Sequence, residues 1–253
     1  LQNGSVFLPK EDRDMAEAVE NVLKSYGVSV ITGAGLKEIK EGTAVYTKNG
    51  EEDTLDGDAI LLATGRGPNT EGLHAERAGV ELTKRGAVVT DKHLRTTAEN
   101  IWAAGDVCGN LQFTYISLDD NRIILSDMQG DGSRTTENRG AFAYSVFMEP
   151  SFSRAGLSEK EAADKGLNYR VVRMNTDMIP KAKVLRKTTG MLKAVIDKDS
   201  GKILGAALFC PESYEIINMV KLAMDHDLDY TVLRDFIYTH PTMSEGLNDL
   251  FAL

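Results

Sequence analysis

The stretch THPTMSEGLNDLFAL places His240 directly before Pro241 and five positions before Glu245, in a chain with only four histidines. A residue before proline is pushed out of the helical region. His240 is therefore expected to end an extended segment, and Pro241 to open the helix that carries Glu245. Imidazole and carboxylate can then meet across the turn, where a carboxylate on one ring nitrogen fixes the tautomer and makes the other nitrogen a better base. The same letters also suit a plain ion pair at a helix start, and the residues alone allow both readings. A second constellation lies in NIWAAGDVCGNLQFTYIS, where Gly105-Asp106 should close a strand and Thr114 should open a helix. A carboxylate there can accept hydrogen bonds from sugar-like hydroxyls, and the glycine lets a ligand approach the backbone. The helix start turns unpaired N–H groups and a positive dipole end toward the same place. The arrangement suits a ligand with a polyol chain and an electron-rich ring, although an ordinary helix cap beside a loop aspartate has the same sequence.

Other reactive residue types stand in poorer patterns. His74, His93 and His226 lie among charged or polar neighbours and read as solvated; one imidazole between Asp225 and Asp227 is weak evidence for a metal, and no metal site is expected. Cys108 and Cys210 have neither disulfide-framework nor metal-ligand spacing and read as two reduced, buried thiols.

The elements that must position these residues follow from periodicity. Met15, Val19, Val22 and Leu23 recur at helical spacing until Gly27. Residues 28–32 and 58–64 read as buried strands, with a hairpin between them turning at Asn49-Gly50. The glycines and proline of ATGRGPNT mark a crossing between domains or a loop approached closely by a ligand. Beyond it, GAVVTD and NIWAAGD read as strands, and residues 114–130 as a helix with Ile116, Ile123 and Ile124 inward. The polar stretch 130–140 is the best linker candidate. After it come a strand in FAYSVFM, a short helix in LSEKEAADKG, a strand in NYRVVRMN, a hairpin turning at Asp199-Ser200-Gly201 and the helix ESYEIINMVKLAMDHD. The order is α/β followed by an α+β unit of about a hundred residues.

Composition narrows the partners. With 29 Lys and Arg against 38 Asp and Glu the chain is acidic, which argues against nucleic acid. No apolar run approaches the roughly 18 residues of a membrane span and no basic-then-apolar leader opens the sequence, so a cytoplasmic protein without a membrane partner is expected.

ATGRGPNT, then NIWAAGDVCG with Thr114 eight residues after Asp106, then HPTMSE resemble the later motifs of the class I, FAD-dependent pyridine nucleotide-disulfide oxidoreductases. GNLQFTYISLDDNRI, AYSVFM and HPTMSEGLNDLF are similar to a narrower branch, the bacterial reactive-chlorine-resistance flavoproteins linked to hypothiocyanous acid reduction and often described as mercuric reductase-like. The resemblance implies parts of two Rossmann-like domains followed by a dimerisation domain, divided as 1–65 (nicotinamide domain, carboxyl-terminal portion), 66–138 (FAD domain, carboxyl-terminal portion) and 139–253 (interface). It implies FAD and NAD(P)H as cofactors, a homodimer, and a small-molecule oxidant or disulfide as substrate. Gly105 and Asp106 would meet the ribityl chain, the backbone of Gln112, Phe113, Thr114 and Tyr115 would face the flavin's pyrimidine ring, and Gly65 would lie against the nicotinamide cofactor. Arg66 would either anchor the crossing loop or touch a phosphate. His240 and Glu245 would be the acid/base pair serving the partner subunit's flavin and redox disulfide.

The sequence also departs from that family. GAGLKE at 33–38 has Glu38 where a third dinucleotide-binding glycine belongs, and no closely spaced cysteine pair is present. The chain is thus expected to be the carboxyl-terminal part of a longer enzyme and inactive alone. A terminal cysteine pair of the mercuric reductase kind is missing and His240 is kept, which makes mercury reduction the poorer expectation. The rivals are a non-catalytic dimerisation module, or dihydrolipoamide dehydrogenase or mercuric reductase-like activity in the full-length protein.

Overall fold

The expected first helix forms as α1 (Arg13–Ser25), which buries Met15, Val19 and Val22 on one side. A three-stranded antiparallel meander follows, made of β1 (Ala34–Lys40), β2 (Thr43–Lys48) and β3 (Glu51–Asp56). The turn at Asn49-Gly50 has φ of 53° and 84°, the left-handed pair that a two-residue primed turn requires. A second such turn at Glu41-Gly42 joins β1 to β2, where the sequence reading held one hairpin only. The computed structural model describes residues 1–252, and its contacts divide them into two compact units: Leu1–Ile60 with the chain from Ala141 onward, and Leu61–Gly140.

Several expected strands do not form. Of residues 28–32 only Thr32 pairs, through a single parallel bridge to Gln2, and residues 58–64 pair with nothing described. Leu61 and Leu62 stand 89% and 62% exposed. An apolar run of this kind suits a parallel strand covered on both faces, which needs neighbouring strands, and the described residues contain none for it. In the second unit GAVVTD and NIWAAGD likewise make only isolated bridges, Leu82 to Val88, Thr90 to Thr96 and Arg95 to Trp102. Gly105–Cys108 is a tight 3₁₀ turn rather than a strand end.

Helix α2 (Thr114–Gln129) begins at the expected residue and buries Ile116 and Ile123. Its inner face differs from expectation at Asp119 and Asp120, which are buried while Ile124 is only partly so. The loop 130–140 closes over those carboxylates: Arg134 pairs with Asp119, and Arg139 with both Asp119 and Asp120. A buried carboxylate without such a partner would lose far more solvation than the loop could return.

In the first unit, β4 (Ala143–Val146) and β5 (Phe152–Gly156) precede a short helix α3 (Glu159–Asp164) closed by a capping box of Ser158 and Glu161. Next come β6 (Tyr169–Asn175), α4 (Pro180–Leu185), β7 (Met191–Asp197) and β8 (Ile203–Phe209). The last helices are α5 (Ser213–Asp225), α6 (Thr231–Asp235) and α7 (Gly246–Ala252). The sheet is antiparallel in the order β4-β5-β8-β7-β6. Its strands alternate two cores. Ala206 and Leu208 join Ile216, Val220, Leu247 and Leu250 on one face, whereas Ala207 and Phe209 meet Met15, Val19 and Val22 of α1 on the other. Because α1 covers the second face, β7 and β8 are apolar almost throughout instead of alternating with polar residues. The one lysine on that face, Lys193, is 2% exposed and lies 2.9 Å from Asp12, 3.0 Å from Asp14 and 2.7 Å from Glu159.

Candidate functional site

His240 and Glu245 do meet. Nδ1 of the imidazole lies 2.8 Å from Oε2 of the carboxylate; the glutamate is 15% exposed and the histidine 69%. The bond occupies one ring nitrogen and leaves Nε2 on a ring that faces outward. The local architecture differs from the expected one. Pro241 does not open the helix, the His240–Pro241 peptide is cis, and α7 starts at Gly246, just after Glu245. Thr242 rather than Pro241 organises the start. Its backbone N–H donates to Glu245 Oε1 at 3.3 Å, while its hydroxyl accepts the Glu245 N–H at 3.3 Å. That is the reciprocal geometry of a capping box on the turn that leads into α7, and its Thr-x-x-Glu signature stands in the sequence. One carboxylate therefore closes a helix with one oxygen and orients an imidazole with the other.

The second unit brings the other expected residues together. Gly105 has φ of 73°, and a Cβ there would lie 2.7 Å from Ser117 Oγ, so only glycine seats this turn against α2. Its N–H donates at 2.6 Å to the buried Asp120, which also receives Arg139. Asp106 projects beside it with a side chain 43% exposed. Arg66 donates to Asp106 Oδ2 at 3.0 Å and to the Gln112 carbonyl at 2.6 Å, so it anchors this loop. Phe113 ends the loop in extended conformation, Thr114 opens α2 with no side-chain cap, and Phe113 and Tyr115 bring their rings within 5.3 Å. A partly exposed carboxylate, a backbone that tolerates close approach and a helix start without a side-chain cap fit a polyol-bearing, electron-rich cofactor. Gly65 has φ of 111° and open space where a Cβ would be.

Asp120 and Arg139 were not legible as site residues. Asp120 is a mid-helix aspartate whose role depends on a loop 15 residues away, and Arg139 is one of several polar letters in a candidate linker. The remaining reactive groups sit apart from this chemistry. Burial, with the nearby Asp120 carboxylate, pushes the Cys108 thiol up to about 11, and burial pushes Cys210 up to about 12. Both are free and buried. His93 lies 3.8 Å from Asp127, which is already held by Arg95 and Trp102. Among the described residues no group of three His, Cys, Asp or Glu side chains is placed to hold a metal, and no helix is long and apolar enough to cross a membrane.

Two family models match, the pyridine nucleotide-disulphide oxidoreductase model over residues 1–120 and the dimerisation domain of the same family over residues 142–251. The chain belongs to the pyridine nucleotide-disulphide oxidoreductase family. It is 48% identical over its whole length to a protein of Escherichia coli (strain K12) described as a probable pyridine nucleotide-disulfide oxidoreductase, RclA, covering 57% of that protein. It is 34% identical to a mercuric reductase of Staphylococcus aureus, covering 98% of this chain and 46% of the enzyme. Among solved structures it superposes with a TM-score of 0.94 and 47% identity on a Cu(II) complex of the HOCl-induced flavoprotein disulfide reductase RclA from Escherichia coli, covering all of this chain and 59% of that one. A chain of LpdA from Mycobacterium tuberculosis, at 23% identity and a TM-score of 0.88, shares the fold. The chain thus spans about half the length of the curated relatives it matches.

Proposed function

We propose that this chain supplies the carboxyl-terminal part of a cytoplasmic, homodimeric flavoprotein that passes electrons from NAD(P)H through FAD and a redox disulfide to a small oxidant such as hypothiocyanous acid, or to a disulfide. The observation that carries the reading is the 2.8 Å contact of Glu245 with His240 Nδ1, which leaves Nε2 of an exposed ring as a base. On this reading residues 1–65 complete a nicotinamide domain, 66–138 an FAD domain, and 139–253 form the interface.

When bound, FAD supplies hydride acceptance from NAD(P)H and two-electron delivery to the disulfide. The work of this chain is binding and proton handling. Asp106 would accept hydrogen bonds from the ribityl hydroxyls, Gly105 would let that chain approach the backbone, the backbone from Gln112 to Tyr115 would hold the ring, and Gly65 would lie against the nicotinamide. The first turn of α2 favours negative charge at the place it faces. At the interface, His240 Nε2 takes the proton of a cysteine thiol on the partner subunit, because the thiolate is the species that exchanges with disulfides. Glu245 stabilises the imidazolium that results. Identity to a relative described as HOCl-induced supports an oxidant as substrate.

The test is turnover by the full-length, flavin-loaded protein. NADH and NADPH oxidation is followed with hypothiocyanous acid, an aromatic disulfide, lipoamide and Hg(II) as separate acceptors. Highest kcat/KM with hypothiocyanous acid or the aromatic disulfide supports the proposal. Preference for lipoamide or Hg(II), or a full-length protein that purifies without flavin, overturns it.

A further inference from the structure

The segment Phe236–Thr239, which delivers His240, belongs to no helix or strand, and burial does not hold its start, since Ile237 is 93% exposed and Phe236 52%. Hydrogen bonds from a side chain on α7 hold it instead. Asn248 Nδ2 lies 2.7 Å from the Arg234 carbonyl, 3.0 Å from that of Phe236 and 3.3 Å from that of Leu233. Three carbonyl oxygens around one amide terminus require that terminus to be the NH₂ group, and its two protons serve the two nearer oxygens best. Two of these carbonyls belong to the last turn of α6 and the third to the first residue of the segment, so Asn248 ends one element and aims the next. Tyr238 adds a second tie through its hydroxyl to the Leu233 carbonyl at 3.1 Å.

Helix α7 is a firm support for this grip. Leu247, Leu250 and Phe251 are 1% exposed or less, and Gly246 packs so closely on Ile179 that a Cβ would come within 2.8 Å of its side chain. Glu245 stands three residues before Asn248, immediately ahead of the same helix. The imidazole is therefore gripped twice from one frame, at its ring by Glu245 and through its leading backbone by Asn248.

We propose that Asn248 is a positioning residue for His240, setting where the base stands just as Glu245 sets how its ring is turned. The inference rests on the reading of His240 as the base. It matters because proton transfer requires hydrogen-bond reach, about 2.6–3.2 Å between heavy atoms, so an ångström of drift at the start of this segment, which the Tyr238 hydroxyl and the Thr242 hydroxyl on the Thr239 carbonyl (2.8 Å) hold only further along, removes the base from its proton.

The experiment compares full-length, flavin-loaded Asn248→Ala and Asn248→Asp with the parent and with His240→Ala, following flavin reduction by NAD(P)H and reoxidation by acceptor as separate stopped-flow phases across pH. Asn248→Asp puts acceptors where donors are needed and should be the worse of the two. The expected result is flavin reduction within about twofold of the parent and reoxidation slower by about tenfold, the consequence of roughly 1.4 kcal/mol in the barrier. The pH profile of reoxidation should move toward that of His240→Ala. Should Asn248→Ala fail to accumulate, Asn248→Ser, which keeps one donor, is judged on the same ratio of phases. A lowered melting temperature with both phases at parental rate and an unmoved pH profile overturns the proposal and leaves Asn248 as the cap of α6. If His240→Ala itself reoxidises at the parental rate, the underlying reading falls, and the inference with it.

Discussion

The buried carboxylate of Asp120 accepts the backbone N–H of Gly105 at 2.6 Å, and through that bond a helix holds the turn that presents Asp106. Removing the acceptor strands a buried donor at a cost of about 1–3 kcal/mol. Asp120→Ala in the full-length protein is expected to weaken flavin binding by about tenfold or more, with Arg139 left unpaired as well. Asp120→Asn keeps an acceptor for Gly105 and should lose less. Equilibrium titration of apoprotein with FAD checks both; Asp120→Ala binding with parental affinity would show that the turn holds itself.

The cluster around Lys193 gives the first unit a pH window. Burial works against the charged forms of Asp12 and Asp14, but hydrogen bonds and charge from Lys193 outweigh it and hold both carboxyls below their ordinary value. Burial likewise works against the Lys193 ammonium, and its bonds to Glu159, Asp12 and Asp14 keep it above its ordinary value. A lowered carboxyl contributes stability that is present above its unfolded value and lost as pH falls through the folded one. A raised ammonium contributes stability that is present below its unfolded value and lost as pH rises through the folded one. Stability from this cluster should therefore be flat from about pH 4.5 to about 10, and decline on both sides. Lys193→Met leaves Asp12 without its cation, while Arg173 still pairs with Asp14 and Glu159, and should cost about 3 kcal/mol at neutral pH, most of it recovered only if Asp12 is also replaced. Chemical denaturation across pH measures both; a profile that Lys193→Met does not change would contradict the assignment.

The two cysteines should be silent. With thiols pushed up to about 11 and about 12 by burial, neither Cys108 nor Cys210 presents thiolate at neutral pH. Iodoacetamide at pH 7.5 is expected to leave both unmodified in the folded protein and to label both in denaturant, read by peptide mass spectrometry. Labelling of Cys108 under native conditions would mean that the Asp120–Arg139 region opens.

Local signals in the sequence were reliable wherever one segment is enough to make the structure. Helix α1, the Asn49-Gly50 turn, the start of α2 at Thr114 and the β7–β8 hairpin depend on spacing and turn chemistry within a few residues. Residues 28–32 and 58–64 were misread because their apolar runs are necessary for buried strands but not sufficient without neighbours. Asp120 and Lys193 were missed for a related reason. A charged residue inside an apolar face is legible only once its partners, Gly105 and Arg139 in one case and Asp12, Asp14 and Glu159 in the other, are brought in from distant parts of the chain. The His240–Glu245 contact was legible because five residues span it, yet the capping box that fixes it was overlooked beside the more conspicuous proline.

The central claim is that His240 is a base for thiol chemistry, and stopped-flow absorbance on the full-length, flavin-loaded protein tests it most directly. His240→Ala should leave flavin reduction by NAD(P)H nearly unchanged, since that step needs no proton from this ring, while slowing reduction of the oxidant by about 10²- to 10⁴-fold. Glu245→Gln should cost less, because the imidazole remains while its orientation and basicity weaken. Both deficits should shrink as pH rises toward about 8.5, where a thiol ionises unaided. A His240→Ala enzyme that reduces its oxidant at the parental rate at neutral pH would contradict the account and leave the 2.8 Å pair of His240 and Glu245 as a helix-start contact alone.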